Sequence, residues 1–257
     1  QISETMLSDI KEGQILIATE GHAVGKVNGL TVLHIGDTSF GTPARITATV
    51  YAGADGVIDV EREAELGKAI HSKGVMLLTG YLGNKYAQQF SLTLSANIAI
   101  EQSYGYIDGD SASLAELCAL ISAITNLPIS QSIALTGSIN QHGDVQSIGG
   151  VNEKIEGFFK LCKMRGLTGE QGVIIPKSNQ VNLVLDDEVL DAVEKGRFNI
   201  YAVETVDQAL SLLMDKDAGE MTAEGYPEGS INALALARLA NIADIVNGDN
   251  DDEKDAE

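Results

Sequence analysis

Predicted strands and helices alternate along the second half of this chain. Apolar runs at residues 173–176 and 198–202 are typical of buried strands, and residues 185–195 and 206–214 have the apolar spacing of helices. This alternation favours a compact α/β domain, built from mixed small sheets and helices, over an all-helical or all-strand fold.

The first half of the chain is richer in predicted strands. They lie at residues 16–18, 27–35, 44–51, 57–60 and 92–100. A helix is predicted within 74–86, and Asn28-Gly29 has the composition of a turn or bulge. Between the two halves we expect a strand at 133–136 and a short hairpin around Gly143.

One predicted helix carries a lysine on its apolar face. At about 100° per residue, one stripe of residues 151–165 contains Val151, Ile155, Phe158, Phe159, Leu161 and Cys162. Lys154 projects into this stripe. Desolvation should lower the pKa of Lys154 toward neutrality, as a general base requires. The alternative is a lysine at the edge of the stripe whose charged head reaches water.

Ser111 lies at the start of a second predicted helix, whose apolar residues are Leu114, Leu117, Cys118, Ile121 and Ile124. That helix should end before Pro128, because the residue preceding a proline disfavours the helical region. Ser111 can be an N-cap whose oxygen accepts a backbone N–H. It can also be a nucleophile beside N–H groups that hold an oxyanion. A serine and a lysine so placed suit a serine peptidase without a catalytic histidine.

Composition narrows the class of protein. The formal net charge of −20 argues against nucleic-acid binding, which requires a positive surface. The sequence has no signal segment and no apolar run long enough to span a bilayer. Cys118 and Cys162 lie on apolar helix faces, as reduced core cysteines of a cytoplasmic protein do; a reactive thiol is the less favoured alternative. Because the chain begins at Gln1, we expect it to be a piece of a longer protein. A membrane anchor in the rest of that protein is an alternative that this sequence leaves open.

The C-terminal region divides into three predicted parts. Composition turns polar near residue 217, where we place the end of a domain spanning 1–217. Residues 218–248 form an extension with a helix at 230–246, which we expect to pack on its own domain rather than on a neighbouring subunit. Residues 249–257 should be a disordered acidic tail, because like charges without apolar residues cannot offset ordering entropy.

Two further sequence patterns, a glycine-lysine segment and the scattered histidines, do not predict a binding site. Residues 21–27 resemble a phosphate-binding loop, but the glycines stand one residue too close and no Ser or Thr follows Lys26. No metal site is predicted, because no histidine has ligand spacing with another His or Cys; the histidines are His22, His34, His71 and His142. A Ser-His-Asp triad stays open in principle, since triads assemble in space.

Residues 108–113 (Asp-Gly-Asp-Ser-Ala-Ser) and 149–154 (Gly-Gly-Val-Asn-Glu-Lys) together resemble the proteolytic domain of Lon proteases. The acidic residue in the serine motif resembles the B-type members, as do residues 24–30 and 101–104. The spacing of 154 − 111 = 43 residues between serine and lysine fits the family. Residues 134–137 (Ala-Leu-Thr-Gly) resemble the segment whose threonine lies beside the catalytic lysine. The resemblance extends from about residue 21 to about residue 214.

The resemblance implies a Lon-type α/β domain with a Ser-Lys dyad. Ser111 takes the role of nucleophile, Lys154 that of general base, and Thr136 that of an orienting residue. Asp108 and Asp110 flank the nucleophile. One of them could pair with Lys154, or they could complement the helix dipole and hydrogen-bond the loop. Glu101 is a weaker candidate for pairing with the lysine.

The resemblance also implies an ATP-dependent endopeptidase that degrades unfolded or misfolded proteins as a homo-hexameric ring. ATP and magnesium would bind in an AAA+ module outside this chain, and no cofactor is expected within it. Two alternatives belong to other classes. One is a non-catalytic Lon-fold module for ring assembly or binding. The other is a small-molecule kinase on a related fold, which would need the phosphate-binding loop that is lacking here.

Overall fold

A seven-stranded mixed β-sheet forms the centre of the molecule. The computed structural model describes residues 17–60, 73–101 and 110–257. Over this part of the chain the strands are β1 His22–Ala23, β2 Lys26–Ile35, β3 Thr38–Tyr51, β4 Gly56–Asp59, β5 Ser95–Glu101, β6 Ile129–Ser130, β7 Ile133–Leu135, β8 Ser138–Ile139, β9 Val145–Gln146, β10 Gly172–Pro176 and β11 Asn199–Val203. The order in the central sheet is β11-β10-β7-β2-β3-β5-β4.

The sheet is parallel on one side and antiparallel in the middle. Strands β11, β10, β7 and β2 run parallel to one another, whereas β3 pairs antiparallel with both β2 and β5. Strand β4 then runs parallel to β5 at the far edge. Strands β1 and β6 form one small antiparallel sheet, and β8 and β9 form the predicted hairpin around Gly143.

Helices cover both faces of the central sheet. They are α1 Lys73–Tyr86, α2 Ser113–Thr125, α3 Val151–Arg165, α4 Asp187–Glu194, α5 Val206–Met214 and α6 Ile231–Asp255, with a 3-10 helix at Lys177–Asn182. Ile174 of β10 packs in the core shared with α1, α2, α5 and α6. Its neighbours Val173 and Ile175 pack with α3 and α4 in a second core. Alternate side chains of the strand therefore enter opposite layers, and the predicted α/β class is confirmed.

The two helices that carry the candidate dyad form as the sequence predicts. Helix α2 ends at Thr125, and Asn126 adopts the left-handed conformation at φ 59°, before Pro128. Helix α3 buries the predicted apolar stripe against β3 and β10. Cys118 and Cys162 lie on these helices as free, buried thiols, as predicted. Burial raises the pKa of Cys162 to about 12, so this thiol stays protonated at neutral pH.

Two local predictions near the start of the described chain are wrong. Ile17 and Ala18 lie outside any regular element. Asn28-Gly29 is not a turn but lies within β2, where Asn28 pairs with Arg45 in β3. The buried Asn28 side chain donates instead to the carbonyl oxygens of Ala18 at 2.8 Å and Gln131 at 2.9 Å. An amide that could stabilise a turn therefore ties three segments together.

The C-terminal helix is longer than predicted. Ser230 caps α6 by accepting from the backbone N–H of Ala233 at 3.2 Å, and Ile231, Leu239 and other apolar residues enter the core of α1 and α2. Packing on its own domain is thus confirmed. The predicted end at residue 246 and the disordered tail are wrong, because the helix continues through Asp255 with residues 247–257 all exposed. Adding residues to an existing helix costs little free energy, because the unfavourable nucleation step has already taken place in its buried first turns. The proposed boundary at residue 217 stays a prediction.

No helix among the described residues is long and apolar enough to cross a membrane.

Candidate active site

Ser111 and Lys154 line the same cavity. Its volume is about 530 Å³, and it is bounded by the start of α2, the start of α3 and the β2–β3 hairpin. Ser111 comes from the loop before α2, and Lys154 from the first turn of α3. The fold therefore brings together two side chains that the sequence separates by 154 − 111 = 43 residues.

The side-chain nitrogen of Lys154 lies in the interior. The residue is 3% exposed, and its Nζ donates to Oγ1 of Thr136 at 3.2 Å. Thr136 is itself 1% exposed, and its backbone N–H donates to the carbonyl oxygen of Ile174 in β10 at 3.1 Å. Lys154 is thus held by a residue that the central sheet fixes. A lysine whose head reaches water is not what the structure shows.

Two glycines allow α3 to lie directly on β3. A Cβ atom on Gly41 would be 2.0 Å from the carbonyl oxygen of Glu153 and 2.7 Å from Cα of Lys154. A Cβ on Gly157 would be 2.1 Å from the carbonyl oxygen of Gly41. Both distances are far inside van der Waals contact. Glycine at these positions therefore sets how deeply the first turn of α3, with Lys154, sits against the sheet.

Ser111 precedes the helix rather than capping it. The N-cap of α2 is Ala112, so the N-cap interpretation of Ser111 is wrong. The backbone around Ser111 is hydrogen-bonded to the segment between β7 and β8, which contains Thr136. The carbonyl oxygen of Ser111 accepts from the N–H of Gly137 at 3.3 Å, and the N–H of Leu114 donates to the carbonyl oxygen of Gly137 at 3.2 Å. Gly137 follows Thr136 directly, so one short segment contacts both halves of the candidate dyad.

Ser113 stabilises the loop that carries Ser111 through two hydrogen bonds. Its Oγ donates to the carbonyl oxygen of Asp110 at 2.9 Å and accepts from the N–H of Ile139 at 3.1 Å. Ser113 is fully buried, and its two bonds link the residue before Ser111 to strand β8. The third position of the Ser-Ala-Ser sequence therefore supports the loop that carries the candidate nucleophile.

The predicted acidic residues lie around the site in different ways. Asp110 accepts from Nζ of Lys73 at 3.3 Å, which joins the serine loop to the start of α1. Glu101 lies 3.7 Å from Nε of Arg45 and accepts from Oγ1 of Thr47 at 3.3 Å, and it does not line the cavity. Asp108 lies outside the described residues.

Sequence analysis missed one wall of the cavity. This wall is the β2–β3 hairpin, which contributes Thr31, Val32, His34 and Ser39. Nδ1 of His34 and Oγ of Ser39 are 2.7 Å apart, so this histidine is paired across the hairpin. No local motif marks these residues. Their position follows from the strand order and from the close approach of α3 at Gly41.

A larger cavity, of about 960 Å³, lies elsewhere and shares no residue with the first. It is lined by polar residues of α1 and α5, including Lys85 and Asp207, which form an ion pair. Asp207 also accepts from Nδ2 of Asn232 in α6 at 3.3 Å. This region therefore joins three helices, and neither Ser111 nor Lys154 reaches it.

Comparison with known proteins identifies the family. Residues 17–216 match the Lon protease (S16) C-terminal proteolytic domain. The chain belongs to the Lon protease family.

The chain is 48% identical over 216 residues to a protein named Putative Lon protease homolog from Escherichia coli strain K12, covering 83% of this chain and 37% of that protein. A protein of the same name from Haemophilus influenzae is 50% identical over 247 residues, with 95% and 41% covered. An Archaeal Lon protease from Thermococcus kodakarensis is 33% identical over 218 residues, with 83% and 31% covered. The chain thus spans less than half the length of each of these Lon relatives.

Proposed function

We propose that this chain is the peptidase part of an ATP-dependent serine endopeptidase that uses Ser111 and Lys154. The observation that carries the proposal is the shared cavity, in which buried Lys154 donates to Thr136 beside the loop of Ser111. Burial disfavours the charged ammonium, and a neutral amine can accept a proton. Membership of the Lon family supports the same chemistry.

The first half of the reaction acylates the serine. Oγ of Ser111 attacks the scissile carbonyl carbon while Nζ of Lys154 takes the hydroxyl proton. The carbonyl π electrons move to oxygen, and backbone N–H groups beside Ser111 stabilise the resulting oxyanion. When the oxyanion collapses, the C–N bond breaks and Lys154 gives its proton to the leaving amine. Thr136 keeps Nζ oriented during both transfers.

The second half releases the other product. Water attacks the ester carbonyl, and Lys154 takes a proton from that water. Collapse of the second oxyanion breaks the bond to Oγ, and the proton returns from Lys154 to Ser111. The products are a carboxylic acid and an amine, and both side chains regain their starting protonation states.

The wider setting is proposed from the family. Substrates would be unfolded or misfolded chains, delivered by an AAA+ module outside this chain in a cytoplasmic homo-hexamer. ATP and magnesium would bind in that module. We do not assign ATP to residues 21–27, since Lys26 begins strand β2, whereas a phosphate-binding loop leads into a helix N-terminus.

The test compares wild type with Ser111→Ala on an unfolded protein substrate such as casein, with the ATPase module supplied. We expect cleavage to be lost in the variant while the protein still folds, because the change removes one oxygen atom from a residue that lies outside α2. Cleavage by the variant at the wild-type rate would refute the proposal. A folded wild type that cleaves nothing under these conditions would favour the non-catalytic alternative.

A further inference from the structure

Two asparagines attach the turn before Lys154 to a neighbouring segment. The turn is Gly149-Gly150, which lines the cavity with Ser111 and Lys154. Gly150 has φ 72° and is the N-cap of α3, and the backbone N–H of Lys154 donates to its carbonyl oxygen at 3.0 Å. A Cβ on Gly150 would be 2.6 Å from Cγ2 of Val32, so this glycine lies against β2. A Cβ on Gly149 would meet nothing within 4 Å, and a glycine with open space around it is conformationally permissive.

Asn179 holds this turn on its upstream side. Its Oδ1 accepts from the backbone N–H of Ile148 at 3.0 Å, and its Nδ2 donates to the carbonyl oxygen of Ile148 at 2.9 Å. One side-chain amide thus satisfies both backbone groups of a single residue, as a neighbouring strand would. Asn179 is 3% exposed, so the loss of either bond would leave a buried polar group unsatisfied.

Asn152 holds the turn on its downstream side in the same manner. Its Nδ2 donates to the carbonyl oxygen of Asn182 at 2.9 Å, and its Oδ1 accepts from the N–H of Val184 at 2.8 Å. Asn179 and Asn182 are themselves joined, at 3.1 Å between Nδ2 and Oδ1. Both sides of the Gly149-Gly150 turn are therefore attached to residues 179–184.

We propose that Asn179 and Asn152 are positioning residues that fix Gly149-Gly150 and Lys154 relative to Ser111. This inference rests on the proposed function. Neither asparagine needs to contact substrate. They act by removing the freedom that Gly149 would otherwise give to the turn before α3, and displacement of a catalytic group by about 1 Å can cost about 100-fold in rate.

The experiment measures kcat and KM for casein cleavage, with the ATPase module supplied, in Asn179→Leu and Asn152→Leu. Leucine keeps the volume and removes both hydrogen bonds. We expect kcat to fall at least about 10-fold with little change in KM, since the cost falls on the geometry of reaction. Asn199→Leu is the matched control. Asn199 also bridges backbone groups, donating to the carbonyl oxygens of Gly169 and Gln171, but it lies in β11 away from the cavity.

A pH measurement separates positioning from general stability. Asn179→Asp keeps the acceptor for the N–H of Ile148 but, when ionised, has no donor for its carbonyl oxygen. A protonated carboxyl regains that donor. The activity of Asn179→Asp relative to wild type should therefore rise as the pH falls, at temperatures where both proteins are folded.

Three results bear on the inference in distinct ways. Wild-type kcat in folded Asn152→Leu, together with a flat pH ratio for Asn179→Asp, would overturn it even if Asn179→Leu failed to fold. An equal loss of kcat in Asn199→Leu would also overturn it, because the effect would then be general. Full activity of Ser111→Ala in the same assay would instead refute the proposed function.

Discussion

Two lysines in this molecule, one half-buried and one buried, have different surroundings and, we propose, different roles. Lys85 is 18% exposed in its side chain, pairs with Asp207 and donates to the hydroxyl of Tyr81 at 2.7 Å. Lys154 is 3% exposed and donates to the hydroxyl of Thr136 in the cavity that Ser111 lines. Burial lowers the pKa of Lys85, but its hydrogen bond with Asp207 opposes that shift.

The comparison teaches that the neighbours of a lysine matter as well as its burial. At Lys85 a carboxylate stabilises the ammonium, and Asn232 extends this network from α1 and α5 to α6. Oη of Tyr86 in α1 donates to Oδ1 of Asn232 at 2.6 Å and extends the network further. Lys85 therefore holds helices together, whereas Lys154 lines the cavity of Ser111, where we propose that it accepts a proton.

The largest difference should appear when each lysine is replaced by arginine. Lys154→Arg keeps a charge but cannot lose its proton, so we expect casein cleavage to fall by about 100-fold or more. Lys85→Arg keeps the pairing with Asp207 and should retain about wild-type activity. Steady-state cleavage rates of the two purified variants check this.

The pH dependence of the wild-type cleavage rate is a second test of the proposed role of Lys154. The rate should rise with pH, because a general base must be deprotonated before it can accept a proton. Retained activity in Lys154→Arg would point to another base, with a histidine as the first candidate. Equal losses in both arginine variants would show that the two lysines are not functionally distinct.

The next effect concerns how α3 is seated. Gly41→Ala would place a methyl group 2.0 Å from the carbonyl oxygen of Glu153, so the first turn of α3 must move. We expect unfolding free energy to fall by about 1–3 kcal/mol and kcat to fall by about 100-fold. Gly83→Ala in α1 is the control, because its Cβ would meet only Leu92 at 4.0 Å.

Denaturant unfolding and cleavage rates of both glycine variants test whether the contact between β3 and α3 places Lys154. Gly83→Ala should be unchanged or slightly more stable, since alanine is the better helix former. If Gly41→Ala were as stable and as active as Gly83→Ala, the close approach of β3 and α3 would not be what places Lys154.

Much of this arrangement could be predicted from sequence, because it is local. The apolar stripe of residues 151–165 identified Lys154 as a charged residue on a buried helix face. Pro128 predicted where α2 ends. The β2–β3 wall, Gly41 and Asn179 were not predicted, since their roles depend on which strands are neighbours. The length of α6 was not predicted for a related reason. The helix continues past Gly248 because its earlier turns are buried, and the acidic composition of the end of the chain does not indicate that burial.

The smallest effect should come from the end of α6. Truncation after Gly248 removes only exposed residues and many like charges, so the melting temperature and oligomeric state should stay unchanged. Truncation before Ser230 removes Ile231 and Leu239 from the core and should lower the melting temperature markedly. A large drop after the short truncation would show that the acidic end makes a stabilising contact.

The central claim is that Ser111 is a nucleophile activated by Lys154. Labelling with a fluorophosphonate, followed by mass spectrometry of the digested protein, tests it most directly. We predict a single adduct on Ser111 that Lys154→Ala nearly abolishes, while Lys85→Ala is labelled like wild type. An adduct on a different residue, or equal labelling of Ser111 in the Lys154→Ala variant, would contradict the account.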